Sequence, residues 1–361
     1  MTNGSGVVGP APMEGNGGYN SRSSVQASGA SPAVSLLAQA ARDVSLPAGS
    51  GPVVIADYGA SQGRNSLVPM SAAVQTLRER LGRGRPISVV HTDLAQNDFS
   101  ALFDLLNRDP ASYLRQDDEV YASAIGRSFY EQILPARSVT LGWCAWSIQW
   151  LSEAPMVIPD HVESAYSRFP EVRAAYARQA AADWRTFLRH RAAELQLGGR
   201  LVVISMALTD EGDFGYAPVL TAMNETLQAL VQEGEVLPEE AGRMVIPTVG
   251  RTRSEFAEPF QTGEFCGLTL DLIETFEGED TIWQDYLKDG DALAFGARWA
   301  AFSRASVLPT LSRGLAAESA PSRIQGFVDR MEAGMAARLA AAPERSLMPL
   351  ANLVLSASTT R

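Results

Sequence analysis

The sequence predicts an α/β protein with a mostly parallel sheet covered on both faces by helices and a helical cap over one edge. Three observations carry this. Short apolar runs alternate with helical stretches from Pro52 to Met206, the pattern of βαβ units. The first run, Val53–Ala56, ends in Asp57 and enters a turn holding Gly59 and Gly63, where the backbone can pass close to a bound molecule. Two mainly helical stretches, Thr209–Glu258 and Asp280–Leu315, then break the alternation and read as the cap.

In chain order, Met1–Gly18 is rich in Gly, Pro, Asn and Ser and reads as a disordered tail. Tyr19–Gln26 (YNSRSSVQ) differs from it and leads into a helix over Ala33–Ala41. After the Pro52–Asp57 strand, Asn65 and Ser66 precede a helix over Leu67–Leu81. Ile87–Thr92 is a second strand, followed by Asp93-Leu94, and Asn97-Asp98 reads as the N-cap of a helix over Phe99–Asn107. Val120–Ala124 is a weaker third strand, Val139–Cys144 a fourth and Leu201–Met206 a fifth, entered through Gly198-Gly199. An Ala-, Arg- and Glu-rich helix over Ala165–Leu195 joins the last two. Phe265–Phe276 and Leu347–Ser356 complete the sheet. The right-handed crossover rule puts the C-terminal ends of the parallel strands on one edge, where open α/β sheets bind ligands. The expected division is a tail (1–18), a lid segment with its helix (19–44), a core (45–208), a cap (209–261) and a region of remaining strands with further cap helices (262–361).

Composition excludes several function classes. A net charge of -11 with no long basic run argues against nucleic acid or an anionic membrane as partner. The two cysteines, Cys144 and Cys266, form no CxxC, so neither a disulfide scaffold nor a zinc site is expected, and a reducing, cytoplasmic setting is the default. His91, His161 and His190 are scattered, with no metal-hydrolase spacing, and no metal site is expected. No signal peptide is apparent, and no apolar run reaches the roughly 18 residues that span a bilayer.

The chemistry concentrates at the ligand edge. Asp93, at the end of a strand, has two oxygens that suit the hydroxyls of a ribose, while Asp57 and Gly59 suit the tail of the same cofactor. Neither GxGxxG nor GxxxxGK[ST] is present, which disfavours dinucleotides and nucleoside triphosphates. S-adenosylmethionine fits better, because it carries a ribose, an ammonium and a carboxylate but no pyrophosphate. Beyond the fourth strand, Trp143, Trp146 and Trp150 recur at spacings of three and four, as on a helical turn. They read either as core packing or as a pocket wall whose indole N–H groups can hold an acceptor oxygen without bringing a charge.

These segments together resemble the SABATH carboxyl methyltransferases. YNSRSSVQ resembles the family's Tyr…Asn-Ser-x-x-Gln segment, and IADYGASQGRNSL its I-A-D-L-G-C-S-S-G-x-N-T-L loop. DLAQNDF, GRSFYEQILP and WSIQWLSEAP resemble D-L-P-x-N-D-F, P-G-S-F-Y-x-x-L-F-P and Y-S-L-x-W-L-S-x-V-P. The Arg191–Met206 strand entry matches as well. The resemblance implies a Rossmann-like class I methyltransferase sheet, S-adenosylmethionine as methyl donor and S-adenosylhomocysteine as product. It implies Ser23, Asp57, Gly59, Asn65, Asp93, Leu94, Ser128 and Phe129 as cofactor residues, with Cys144 counted among them. Gln26 and Trp150 would hold the substrate carboxylate, and Trp143, Trp146 and Met223 would line the rest of its pocket. A homodimer is a further implication.

The substrate wall departs from the family pattern. Trp146 stands in place of a Tyr, Trp143-Cys144-Ala145 in place of His-Ser-Ser, and Arg64 in place of a Pro. The Ala- and Arg-rich composition looks more like that of a high-GC bacterium than of a plant. The expected reaction is therefore methyl ester formation on a small apolar acid, aromatic or aliphatic, rather than on a specific plant acid. Alternatives are methylation of a ring nitrogen or phenol oxygen, a catalytically silent ligand-binding homologue, and a nicotinamide oxidoreductase, the last disfavoured by the missing GxGxxG.

Overall fold

The computed structural model describes residues 10–359. Among these, seven strands form one sheet: β1 (Val53–Tyr58), β2 (Ile87–Asp93), β3 (Val120–Gly126), β4 (Val139–Ala145), β5 (Leu195–Met206), β6 (Leu268–Glu277) and β7 (Pro349–Ala357). Their spatial order is β3-β2-β1-β4-β5-β7-β6. Strands β1 to β5 pair in parallel, and β7 runs antiparallel between β5 and β6. The order reverses between β1 and β4, and a crevice opens beyond the C-terminal ends of these two strands.

The helices are α1 (Gly18–Arg22), α2 (Ser24–Asp43), α3 (Leu67–Leu81), α4 (Phe99–Arg108), α5 (Pro170–Glu194), α6 (Ala217–Gln232), α7 (Pro238–Ala241), α8 (Arg253–Ala257), α9 (Thr281–Asp289), α10 (Ala292–Ser306), α11 (Leu308–Ser312) and α12 (Pro321–Ala341). One face of the sheet is covered by α2, α3 and α4, through Leu37, Met70, Leu77 and Leu102 against Ile55, Val89 and Leu141. The other is covered by α5, through Trp184, Phe187 and Leu188 against Tyr58 and Val203. A separate apolar cluster joins α6, α10, α11 and α12 through Val219, Leu227, Trp299, Leu311, Phe327 and Met331, and this is the cap. The helical stretches read as the cap end at Leu315, and α12, within the 262–361 region expected to hold further cap helices, adds a long helix to it.

Asp98 is the N-cap of α4, its Oδ1 accepting from the Ala101 N–H at 3.0 Å, as expected. Helix α5 starts later than expected, at Pro170, whose fixed φ suits a first helical position. Strand β5 begins earlier, at Leu195, and its register against β4 shifts between Val139 and Leu141, beside Gly198 at φ 69°. The apolar run that marks β5 in the sequence is only the portion beyond this irregularity.

Two expectations fail. The segment read as a disordered tail is packed from Pro10 onward: the Ala11 N–H donates to Thr310 Oγ1 (3.0 Å), the Glu14 N–H donates to the Ala305 carbonyl (3.0 Å), and Glu14 pairs with Arg22 and Arg304. Its few anchors find partners on the distant helices α10 and α11, which local composition does not reveal. The remainder of that expectation, residues 1–9, lies outside the described residues. Nor do the three tryptophans share a helical turn. Trp143 is in β4, and Trp146 lies just beyond it at φ 54°. Pairing of β4 with both β1 and β5 keeps the chain extended through Ala145.

Candidate active site

The turn after β1 is built for close approach. The N–H groups of Gly59 and Ala60 both donate to the Thr92 carbonyl, at 2.8 and 3.0 Å. Gly59 has φ 84°, and a Cβ there would fall 2.0 Å from Ser147 Oγ, so a side chain is excluded on both grounds. Asp93 faces this turn. Its Oδ2 accepts from the Ser61 N–H and its Oδ1 from the Leu94 N–H, each at 2.7 Å. Burial nevertheless pushes the carboxyl up to about 6, against the lowering effect of these two amides. Asp57 is held by one oxygen, Oδ2, which accepts from Ser66 Oγ (2.6 Å) and from His91 Nδ1 (2.8 Å). His91 Nε2 in turn is hydrogen-bonded with the Tyr113 hydroxyl at 2.7 Å, a buried chain below the loop.

Two hollows meet above this edge. The first is lined by Gly59, Ser61, Asp93, Leu94, Ser128 and Phe129, with Pro10–Met13 and Tyr19 over it, and spans about 720 Å³ including its open mouth. A narrower hollow beside it brings Asp57, Asn65, Gln26 and Trp143 to the same place. The donor set suits S-adenosylmethionine. Asp93 has lone pairs left for a ribose, Phe129 offers a ring face, the Ser61 hydroxyl is buried without a partner among the described residues, and the Gly59 backbone leaves room for the amino-acid tail.

The second hollow, about 650 Å³, is walled mainly by apolar groups from α6, α10 and β5, including Met206, Val219, Leu220, Met223 and Phe302. Met13, Tyr19, Trp146 and Trp150 line both hollows and so mark their junction. Trp146 is set there by its left-handed backbone, with its N–H donating to the Ile204 carbonyl at 3.0 Å. Its indole lies against Gly29 of α2, where a Cβ would come within 2.5 Å of Cζ2. Its Nε1–H is buried with no partner among the described residues, as is the Oε1 of Gln26. Trp150 is fixed by its backbone. Its N–H donates to the Ser147 carbonyl, its carbonyl accepts from the Tyr130 hydroxyl at 2.6 Å, and the residue bridges to Thr248 of the cap segment.

Residues 11–353 match the family model of SAM-dependent carboxyl methyltransferases. The chain belongs to this family. It is similar to Methyltransferase FUS9 of Gibberella moniliformis, 28% identical over 250 residues that cover 69% of this chain and 66% of that protein, just under two thirds of its length. It is also similar to Indole-3-acetate O-methyltransferase 1 of Arabidopsis thaliana, 30% identical over 291 residues that cover 73% and 75% of the two chains. Among solved structures it superimposes on a loganic acid methyltransferase with SAH at a TM-score of 0.79, with 96% of this chain and 99% of the other covered. At 21% identity that likeness shows the fold, an α/β methyltransferase sheet.

In this member of the family, Asp93, Leu94, Gly59, Ser128 and Phe129 share the first hollow, and Asp57 and Asn65 lie in the adjoining one. Ser23 is buried behind them, its hydroxyl donating to Asn65 Oδ1 at 3.4 Å. Gln26, Trp146, Trp150 and Met223 line the apolar hollow. Two residues are placed differently. Trp143 is 2% exposed, packs into the core beside Ile55 and Leu141, and reaches the cofactor side rather than the apolar hollow. Cys144 points to the opposite sheet face, among Tyr58, Trp184 and Phe187, lines neither hollow, and has its thiol pushed up to about 12 by burial. Strand alternation explains both: neighbours on β4 face opposite ways. Tyr19, Gly29, Tyr130, Glu163 and Tyr216 were missed as individual site residues. Tyr19 and Tyr130 lie inside the motifs and Tyr216 at the start of the cap stretch expected to pack on the acid, whereas Gly29 and Glu163 acquire their positions only through tertiary packing.

Proposed function

We propose that the protein transfers a methyl group from S-adenosylmethionine to the carboxylate of a small, largely apolar acid, forming a methyl ester. The observation that supports this most is the meeting of a ribose-suited hollow and an apolar hollow at Tyr19, Trp146 and Trp150. When bound, S-adenosylmethionine supplies an electrophilic methyl group on sulfur. A carboxylic acid is already ionised near pH 7, so the chain needs no general base at the junction. Its task is alignment and exclusion of water. Gln26 and Trp150 would orient the carboxylate through neutral N–H donors, which hold an oxygen without the tight ion pair that would quench it. The unpartnered Nε1–H of Trp146 offers a third such donor. Met223 and its neighbours on α6 would pack on the body of the acid.

A cytoplasmic location fits the two free cysteines, and a homodimer is carried over from the resemblance. Among the described residues no helix is long and apolar enough to cross a membrane. The experiment is a panel of aromatic and aliphatic acids scored for S-adenosylhomocysteine release and for ester by mass spectrometry. Ester from at least one acid is expected; methylation only at a ring nitrogen or phenol oxygen would replace this reading.

A further inference from the structure

The apolar hollow contains polar groups that alignment of one carboxylate does not use. Glu163 lies in its wall and is 0% exposed. Every hydrogen bond to its carboxyl group among the described residues is one it accepts. Thr248 Oγ1 donates to Oε2 at 2.7 Å, and Ser164 Oγ and the Ala165 N–H donate to Oε1 at 3.2 and 3.4 Å. Burial pushes this carboxyl up to about 8, so near neutral pH it is held mainly protonated, and its hydrogen can turn to Thr248 Oγ1 or to an oxygen in the hollow. A charged Glu163 would oppose entry of an anionic acid into the same low-dielectric space, whereas the neutral group does not.

Tyr216 stands in the same wall. It is 3% exposed, and its hydroxyl has no partner among the described residues. Its φ of 60° places it in the left-handed region just ahead of α6, with its N–H donating to the Leu347 carbonyl at 2.9 Å. A strained tyrosine with a buried, unpaired hydroxyl carries a cost on two counts. Phenylalanine would fill the space without the second of them. A ligand oxygen in the hollow would give the Tyr216 hydroxyl the partner it lacks and the Glu163 proton a further acceptor.

We propose that Glu163 and Tyr216 are specificity-determining residues that hold a second oxygen, a carbonyl or hydroxyl, on the otherwise apolar body of the acid. This rests on the carboxyl-methylation reading above and narrows its substrate class to oxygenated acids.

The test is steady-state kinetics on acids matched except for that oxygen: phenylpropanoic acid with its ring-hydroxylated isomers, and decanoic acid with its keto and hydroxy derivatives. The wild-type enzyme is expected to favour an oxygenated member of at least one series by about tenfold or more in kcat/KM, chiefly through KM. Tyr216→Phe and Glu163→Leu should each bring that preference to within about threefold, while Glu163→Gln, which keeps a donor, retains part of it. Binding of S-adenosylhomocysteine checks that each variant is folded, and Tyr216→Phe decides alone if the Glu163 variants do not fold. An undiminished preference in the folded variants, or a wild-type preference for the unsubstituted acid in both series, overturns the proposal. Turnover of no acid at all overturns the methylation reading and this one with it, whereas turnover without an oxygen preference overturns only this one.

Discussion

Asp93 carries the most separable role of any single residue. Its carboxylate is already anchored by two backbone amides, so its orientation does not depend on a ligand. Asp93→Ala should weaken S-adenosylhomocysteine binding by roughly 1.5–3 kcal/mol, the range for a hydrogen bond to a charged group. Its pH response has a definite sign. Ribose hydroxyls donate to the ionised form, so binding lowers a carboxyl that stands at about 6 in the free protein. Affinity should therefore be full above that value and fall as pH drops through it. Calorimetric titration checks this, and a flat profile would take Asp93 out of the contact. Trp150→Phe deletes one N–H and keeps most of the ring, and turnover should fall for every acid, on the order of 10²-fold if the donor is aligned in the transition state. Full activity of that variant would mean that the carboxylate is held elsewhere. The place of Asp93 at the ligand edge was legible because it follows directly on an apolar strand. Trp143 lies away from the apolar hollow because β4 stays extended where the aromatic spacing suggests a helical turn, and the alternation of that strand sends Cys144, expected from the resemblance alone, to its opposite face.

At the scale of elements, the start of α2 and the segment before it form one side of the site. Gly29 is the point of closest approach, and Gly29→Ala would force the Trp146 ring aside. Overpacking of this kind costs typically 1–3 kcal/mol. A lower Tm and a raised KM for the acid, with a smaller change in cofactor affinity, are the expected results. An unchanged KM would show that Trp146 tolerates displacement. The stretch from Pro10 to Gln26 covers both hollows and is tied to the body through Ala11, Glu14, Asn16, Asn20 and Ser23, with Glu14 reaching Arg304, which also pairs with Asp329 and Glu332 on α12. Hydrogen exchange across Tyr19–Gln26 should slow when S-adenosylhomocysteine and an acid are added together, as a segment that excludes water from the reacting pair must order over it. Equal protection with and without ligands would count against that role. The sequence marked Tyr19–Gln26 through its motif, but gave no sign that Met13 lines the junction, because that contact depends on helices nearly three hundred residues away.

The molecule as a whole places its chemistry by topology. Reversal of strand order at β1 and β4 opens the crevice, and the cap roofs it with a second apolar cluster distinct from those on the sheet. The parallel half of this plan was legible because each buried strand is a continuous apolar run. The antiparallel insertion of β7 was not, since direction leaves no mark on a single strand's pattern. Burying Glu163 has a consequence for global stability. Its carboxyl stands near 8 when folded against an ordinary 4.5, so the folded state holds the extra proton between those values. Stability should therefore decline as pH rises through that window, and Glu163→Gln should decline less. Thermal melts at pH 5 and pH 8.5 would show the difference, and parallel curves would contradict it. The central claim, that two hollows meet so that a carboxylate oxygen takes a methyl group, is tested most directly by following the methyl itself. Enzyme is mixed with S-adenosylmethionine carrying an isotopically labelled methyl group and with each acid of the panel in turn, and the products are read by mass spectrometry. The account predicts a labelled methyl ester together with an equal amount of S-adenosylhomocysteine. Tight cofactor binding with no ester from any acid, or label found only on a nitrogen or a phenol oxygen, would contradict it.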